Sequence, residues 1–178
     1  MITNTDQYAY RAEAALSYFS DAHEMRHDCT NRERYACVLF ARAARCALAA
    51  LCAAKGLPVN DTLLNLQAPV ASLKTSGCKL GRSEEAAYAH ARWLTRVLIL
   101  DQHDAGADYV TRDLFDESDV LRCEEAAVFF VDRCCQHLLR TNWEQALIRF
   151  LPFREVPMTN TFLWQRRSRG RPYKRSQK

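Results

Sequence analysis

The 178-residue sequence predicts an all-α fold, an up-and-down bundle of four or five helices, on two observations. Helix formers dominate the composition, with 25 Ala and 20 Leu against 12 Val and Ile together. Apolar residues recur at helical spacing along four long segments that are separated by turn residues. A hydrophobic content of 48% with 26% charged residues is typical of a single domain with a buried core, which excludes collagen-like and fully disordered chains.

The first half of the chain predicts two long helices. Helix one is expected over Asp6–Asp28, because five residues form one apolar stripe at helical spacing. Helix two is expected over Arg32–Lys55, where Gly56 and then Pro58 supply a usual stop pattern. Helix two is apolar nearly all round, so it is expected to be the central helix of the bundle. The stripe of helix one consists of Tyr8, Ala12, Ala15, Phe19 and Ala22.

The second half predicts two more long helices and two short ones. A short helical piece is expected near Thr62–Leu66, in a segment interrupted by Pro and Gly. Helix three is expected over Ser83–His103, with Ser83 as N-cap, and helix four over Ser118–Arg140. The polar segment between them is predicted to be a loop. A short helix over Trp143–Leu151 would close the bundle before Pro152.

Charge divides the chain into a bundle, residues 1–155, and a basic C-terminal arm, residues 156–178. No acidic residue follows Glu155, and the arm holds seven of the 25 Lys and Arg residues, so residues 1–155 carry a formal charge of −3 and the arm +7. Arginine forks match phosphates and aromatic rings stack on unpaired bases, so the arm is predicted to contact nucleic acid. The residues expected to do so are Trp164, Arg166, Arg167, Arg169, Arg171, Lys174 and Arg175.

The eight cysteines and the N-terminus predict a cytoplasmic protein. The cysteines form no CxxC pair and mostly stand beside Ala and Leu in helical segments, which favours small buried thiols in a reducing compartment. The N-terminus lacks the basic and apolar regions of a secretory signal. No uninterrupted apolar run has the length of a membrane span, so we expect no membrane association.

The order of these features resembles the HEPN family of small helical bundles. The likeness covers residues 8–140 and rests on the first helix YRAEAALSYFSDA, on the Ala-rich helix that closes on Gly56, and on Tyr109 and Arg112 before the last long helix. HEPN proteins occur beside nucleotidyltransferases and in RNA-targeting systems. The resemblance therefore implies a binding module for RNA or for a nucleotidyltransferase-type partner, rather than an enzyme.

Two departures limit what the resemblance implies. Ala41, Arg42 and Arg45 stand where the family has a glutamine pair and a glutamate, and no His introduces the segment at Leu63. Binding that the family carries out through those polar residues is therefore not transferred to this chain. Arg42 and Arg45 are expected to pair with acidic residues of the same chain, although they would also extend a basic surface.

The catalytic branch of the family implies an alternative, a metal-independent ribonuclease with an Arg and a His a few residues apart. Arg96 and His103 are the candidate catalytic pair in this chain. The His would transfer a proton at the 2′-hydroxyl or the leaving oxygen, and the Arg would stabilise charge on the phosphorus centre. Seven positions on one helix place them about 10 Å apart along its axis. A homodimer would overcome this separation if it brought Arg96 of one copy close to His103 of the other.

A second alternative is a zinc-dependent hydrolase. His23, Glu24 and His27 form an HExxH sequence, which on a helix places two metal ligands on one face with a general base between them. Zinc requires a third protein ligand, for which Asp28, Cys29 and Glu33 are the nearby candidates, and the extended metzincin pattern is absent. No other cofactor is predicted. A di-iron site is excluded because ExxH occurs only once.

Overall fold

The computed structural model describes residues 4–28, 32–81, 83–104 and 115–140, and these residues form five helices. No strand occurs within these ranges, which confirms the predicted all-α fold. The helices are α1 (Asn4–Asp28), α2 (Arg32–Ala54), α3 (Gln67–Thr75), α4 (Glu84–Asp104) and α5 (Glu117–Arg140).

The four long helices run alternately up and down. Tyr8 near the start of α1 contacts Cys134 late in α5, whereas His23 near the end of α1 lies 3.6 Å from Glu124 early in α5, so α1 and α5 are antiparallel. Trp93 meets Cys123 across the α4–α5 interface. The short helix α3 lies against α2 and α4. This arrangement is the up-and-down bundle that the sequence predicts.

Helix α2 is the centre of the core, as its nearly uniform apolar surface predicts. It packs against each of the other four helices. The apolar stripes predicted for the long helices are buried wherever their side chains are described. The largest side chains that are completely or almost completely buried include Phe40, Leu48, Leu51, Leu94 and Phe130.

Two glycines end helices by the same hydrogen-bond pattern. After α2, Gly56 has φ +66° and its N–H donates to the carbonyl of Ala53, while Leu57 N–H donates to Cys52. Gly77, with φ +77°, ends α3 with the equivalent bonds. The pattern is a Schellman motif, whose left-handed residue favours Gly. The stop predicted at Gly56 is confirmed.

The short helix predicted at Thr62–Leu66 is wrong in position, because α3 begins at Gln67 instead. Pro69 was interpreted as a break, but it occupies the first turn of α3, where a missing N–H removes no intrahelical hydrogen bond. Thr62 lies in a turn, where its backbone N–H donates to the Asn60 side chain over 3.0 Å. Such local side-chain bonds compete with helix formation.

A buried threonine fixes the loop before α3. Thr95 on α4 is the one buried polar residue among the described residues. Its hydroxyl donates to the Ala91 carbonyl at 2.7 Å and accepts the Leu66 N–H at 2.9 Å. Because Leu66 is the N-cap residue of α3, this bond positions both the loop and the start of α3 against α4.

The other predicted boundaries agree within one or two residues. Ser83 caps α4 as predicted, with its hydroxyl accepting the Ala86 N–H at 3.3 Å. Helix α5 begins at Glu117, one residue before the prediction. Most of the predicted loop between α4 and α5, the predicted helix Trp143–Leu151 and the C-terminal arm lie outside the described residues.

The described cysteines are free thiols, mostly in the core. Cys37, Cys52, Cys123, Cys134 and Cys135 are buried, and Cys46 and Cys78 are partly buried. A hydrogen bond to Cys123 and burial raise the pKa of the Cys37 thiol well above its ordinary value. These side chains therefore act as small apolar groups, as predicted, while Cys29 lies outside the described residues.

One helix segment within the described residues has the length and composition of a membrane span. It covers Glu33–Ala54, almost all of α2, and 78% of its most apolar window is buried inside the bundle. A core helix meets the same length and composition criteria.

Candidate nucleic-acid interface

A tryptophan and an arginine stack on the surface where α4 meets α5. Trp93 of α4 is partly buried, and its indole Nε1–H donates to the Cys123 sulfur at 3.3 Å. The Arg122 guanidinium carbon lies 4.1 Å from the centre of the Trp93 ring, which is close cation–π geometry. The hydrogen bond fixes the indole, and the indole in turn orients the arginine.

Two more arginines stand beside this stack. Arg92 precedes Trp93 in α4, and Arg96 follows one turn later with its guanidinium carbon 6.0 Å from the indole centre. Arg92, Arg96 and Arg122 are all exposed, and none forms an ion pair within the described ranges. We call these three arginines and Trp93 the α4–α5 arginine patch. Among the described residues, no carboxylate in direct contact neutralises its positive charge.

A histidine lies close to the patch on α4. His90 packs against Phe129 with a ring separation of 5.0 Å. Burial lowers the pKa of His90 below its usual value, an effect that Glu125 opposes and Arg122 reinforces. Glu125 is therefore the carboxylate on α5 that acts on this region, without forming a salt bridge to any arginine of the patch. A mainly neutral His90 leaves the charge of the patch to its arginines at neutral pH.

The structure places the predicted catalytic pair on one continuous helix. Arg96 is exposed on α4, and α4 continues through His103 to Asp104. The helix does not unwind between them, so their backbones remain about 10 Å apart along the axis. The His103 side chain lies outside the described part of the chain. Arg96 thus belongs to an exposed basic surface, and its role in catalysis stays a prediction.

The first histidine of the HExxH sequence packs into an aromatic cluster. His23 lies edge-on to Phe19 and Phe40, with ring centres 5.0 and 5.3 Å away, and its Nε2 is 3.6 Å from the Glu124 carboxylate. The side chain of His27 is outside the described residues. Within the described ranges, no group of three His, Cys, Asp or Glu residues could hold a metal ion. The zinc site stays a prediction.

The other predicted basic residues divide into three cases. Arg42 donates to Asp101 at 3.2 Å, which confirms the expected pairing with an acidic residue. Arg45 differs, because its Nε is buried and has no hydrogen-bond partner among the residues that the structure describes. The predicted nucleic-acid residues of the arm, Trp164 to Arg175, lie outside the described residues.

The patch contains residues that sequence reasoning missed. Trp93, Arg92 and Arg122 were not predicted to act together, since nothing in the sequence indicates which turn of α5 faces Trp93. The available signal was local: Arg92 and Arg96 have the i, i+4 spacing that puts two side chains on one helix face, with an aromatic residue between them. An exposed arginine on the adjacent helix completes the patch.

No protein-family model matches this chain, and no curated protein or solved structure matches it either. The resemblance to HEPN bundles therefore rests on the residues named above.

Proposed function

We propose that this protein is a HEPN-like binding module for RNA, in which the α4–α5 arginine patch and the basic arm contact the same strand. The observation that supports the proposal is the Trp93–Arg122 stack, flanked by Arg92 and Arg96, which have no carboxylate partner in the described part of the chain. Unpaired guanidinium groups on a surface match phosphate oxygens bidentately.

The stack favours single-stranded RNA over a simple charge contact. The Arg122 guanidinium lies over an indole and is itself planar, so its outer face offers a surface on which an unpaired base can stack. Its orientation is already restricted by the Trp93 ring 4.1 Å away, so less side-chain entropy is lost when it binds. The neighbouring Arg92 and Arg96 would then contact the phosphates on either side.

The arm adds charge to this rigid patch. Its seven basic residues come after the last acidic residue of the chain, together with Phe162, Trp164 and Tyr173. An arm of this composition would increase affinity without sequence specificity. We propose that the patch positions the RNA and that the arm holds it.

The test is fluorescence anisotropy with a labelled single-stranded RNA and full-length protein. Arg122→Gln should weaken binding several-fold, whereas Lys55→Gln, which removes one exposed charge outside the patch, should leave the affinity nearly unchanged. Equal effects of both variants would show that only net charge matters and would refute the role of the patch. A complex with a nucleotidyltransferase-type protein in the absence of RNA binding would support the partner role instead.

A ribonuclease is the second candidate function, since Arg96 is exposed beside the patch and shares α4 with His103. If RNA bound at the patch is cut, a homodimer that brings Arg96 of one copy to His103 of the other would supply the pair. Incubation of RNA with the protein in EDTA tests this. Cleavage that disappears in His103→Ala would support the enzyme, and intact RNA with a gel shift would support binding alone.

A further inference from the structure

A small cleft opens between the second half of α2, the loop that follows it and the first turns of α3. Its volume is about 120 Å³, enough for several water molecules. The walls are mostly apolar, with Arg45 as the one charged side chain among the lining residues. The apolar wall is formed by Ala49, Pro58, Val59, Leu63, Leu66 and Pro69.

Arg45 lines this cleft without an ion-pair partner among the described residues, unlike Arg11 on α1 and Arg42 on α2. Arg11 holds Asp61 bidentately at 2.7 and 2.8 Å, and Arg42 holds Asp101 at 3.2 Å. The Arg45 Nε is buried and has no hydrogen-bond partner in the described part of the chain. Arg45 as a whole is only partly buried and lines the cleft, so a ligand there would accept hydrogen bonds from the outer nitrogens of the guanidinium rather than from Nε.

The surrounding charges leave one positive charge for a ligand. Asp61 is close enough for Arg45 to help lower its pKa, but its hydrogen bonds to Arg11 are the main cause, and each of its oxygens already accepts a bond from Arg11. Burial raises the pKa of the lining thiol Cys52 to about 11, so that thiol is neutral. Arg11, Asp61 and Arg45 together carry +1, which a monoanion balances and a phosphate dianion does not.

A second polar group stands at the cleft. Asn60 accepts hydrogen bonds from the Thr62 backbone and hydroxyl with its Oδ1, at 3.0 and 2.8 Å. These two bonds fix the amide and leave its Nδ2 as a donor with no acceptor among the described residues. The site therefore combines a guanidinium fork, an amide donor and an apolar chamber.

We propose that this cleft, the Arg45 pocket, binds a small monocarboxylate with a short apolar body. The carboxylate would accept hydrogen bonds from the guanidinium of Arg45, and the apolar body would lie among the Val59, Leu63 and Pro69 side chains. The pocket shares no residue with the α4–α5 arginine patch, so a variant of one site tests that site alone.

The probe is isovalerate, titrated into isotopically labelled full-length protein and followed by amide chemical shifts in NMR. A ligand of this size is expected to bind with a Kd of about 1 mM and to shift the amides of residues 57–72. Arg45→Met should weaken binding by about tenfold or more, while Arg42→Met, three residues away and outside the cleft, should retain it. Isovaleramide, the neutral isostere, should bind about tenfold more weakly than isovalerate.

A second variant covers the case in which Arg45→Met does not fold. Ala68→Phe replaces an exposed lining residue at the mouth of the cleft and should block entry without altering the core. Binding that survives both Arg45→Met and Ala68→Phe would overturn the proposal, as would shifts elsewhere or equal binding of isovaleramide. Stronger binding of inorganic phosphate than of isovalerate would overturn the assigned ligand class.

Discussion

The hydroxyl of Tyr8 joins α1 to α5, the first and last of the described helices. Tyr8 is 5% exposed, and its hydroxyl donates to the Cys134 carbonyl at 2.9 Å, so α1 is tied to α5 by a bond across 126 residues of sequence. Tyr8→Phe keeps the ring and its edge contact with His137 at 5.7 Å and removes only the hydroxyl. A hydrogen bond of this kind is worth about 1 kcal/mol. We therefore predict that Tyr8→Phe lowers the free energy of unfolding by about 1 kcal/mol and the melting temperature by about 3 °C.

The assay is urea unfolding followed by circular dichroism, with Tyr10→Phe as matched control. Tyr10 stands two residues further on the same helix but is 64% exposed, so removal of its hydroxyl should change the unfolding midpoint very little. The slope m should be the same for both variants. Equal midpoints for Tyr8→Phe and Tyr10→Phe would refute the stabilising role of the bond.

The same bond has a predicted pH signature. Burial, with smaller effects from Cys134 and Cys135, raises the pKa of Tyr8 above its ordinary value of 10.0. A folded-state pKa above the unfolded one stabilises the fold fully below pH 10.0 and progressively less as the pH rises above it, because the unfolded chain loses the proton first. The difference in unfolding free energy between wild type and Tyr8→Phe should therefore shrink above that pH. A constant difference would contradict the mechanism.

Three further results are expected. Gly81→Ala should destabilise the protein by about 1–2 kcal/mol in urea unfolding, because the added Cβ would lie 2.6 Å from the Phe129 ring; an unchanged midpoint would contradict this. Cys78→Ser should remove one rapidly reacting thiol in a titration with Ellman's reagent, whereas the buried Cys123 should react only when the protein unfolds. Equal reaction rates for the two thiols in the folded protein would contradict the burial of Cys123. Because burial lowers the pKa of His90 below 6.5, stability should fall as the pH drops from 6.5 towards that lower value. His90→Gln should reduce this dependence of the unfolding free energy on pH, and an unchanged dependence would contradict the assignment to His90.

The helices could be predicted from sequence because their signals are local. The stripe that begins at Tyr8 and the stop at Gly56 depend on spacing and on the φ angle that Gly accepts, so both agree with the structure. Helix α3 was misplaced because Pro69 can either break a helix or begin one. Its start is set by the bond from Leu66 to Thr95, a contact across 29 residues that no local pattern contains.

The two candidate sites depend on long-range packing. Arg122 reaches Trp93 because α5 packs antiparallel to α4 in one register, with His90 against Phe129 and Trp93 against Cys123. Arg45 was expected to pair with an acid, but the available acid, Asp61, is held by Arg11 from another helix. Competition between partners is a property of the folded chain, so a residue-by-residue interpretation does not predict which arginine remains unpaired.

The salt dependence of RNA binding tests the proposed function most directly. The slope of log Kd against log salt should be compared for full-length wild type and for Arg92→Gln/Arg96→Gln/Arg122→Gln. Each phosphate contact on a single strand contributes about 0.7 to this slope, so loss of the two contacts proposed for Arg92 and Arg96 should reduce it by about 1.4. Wild-type protein that binds RNA with the same slope as the triple variant, or that binds no RNA at low salt, would contradict the role of the α4–α5 arginine patch.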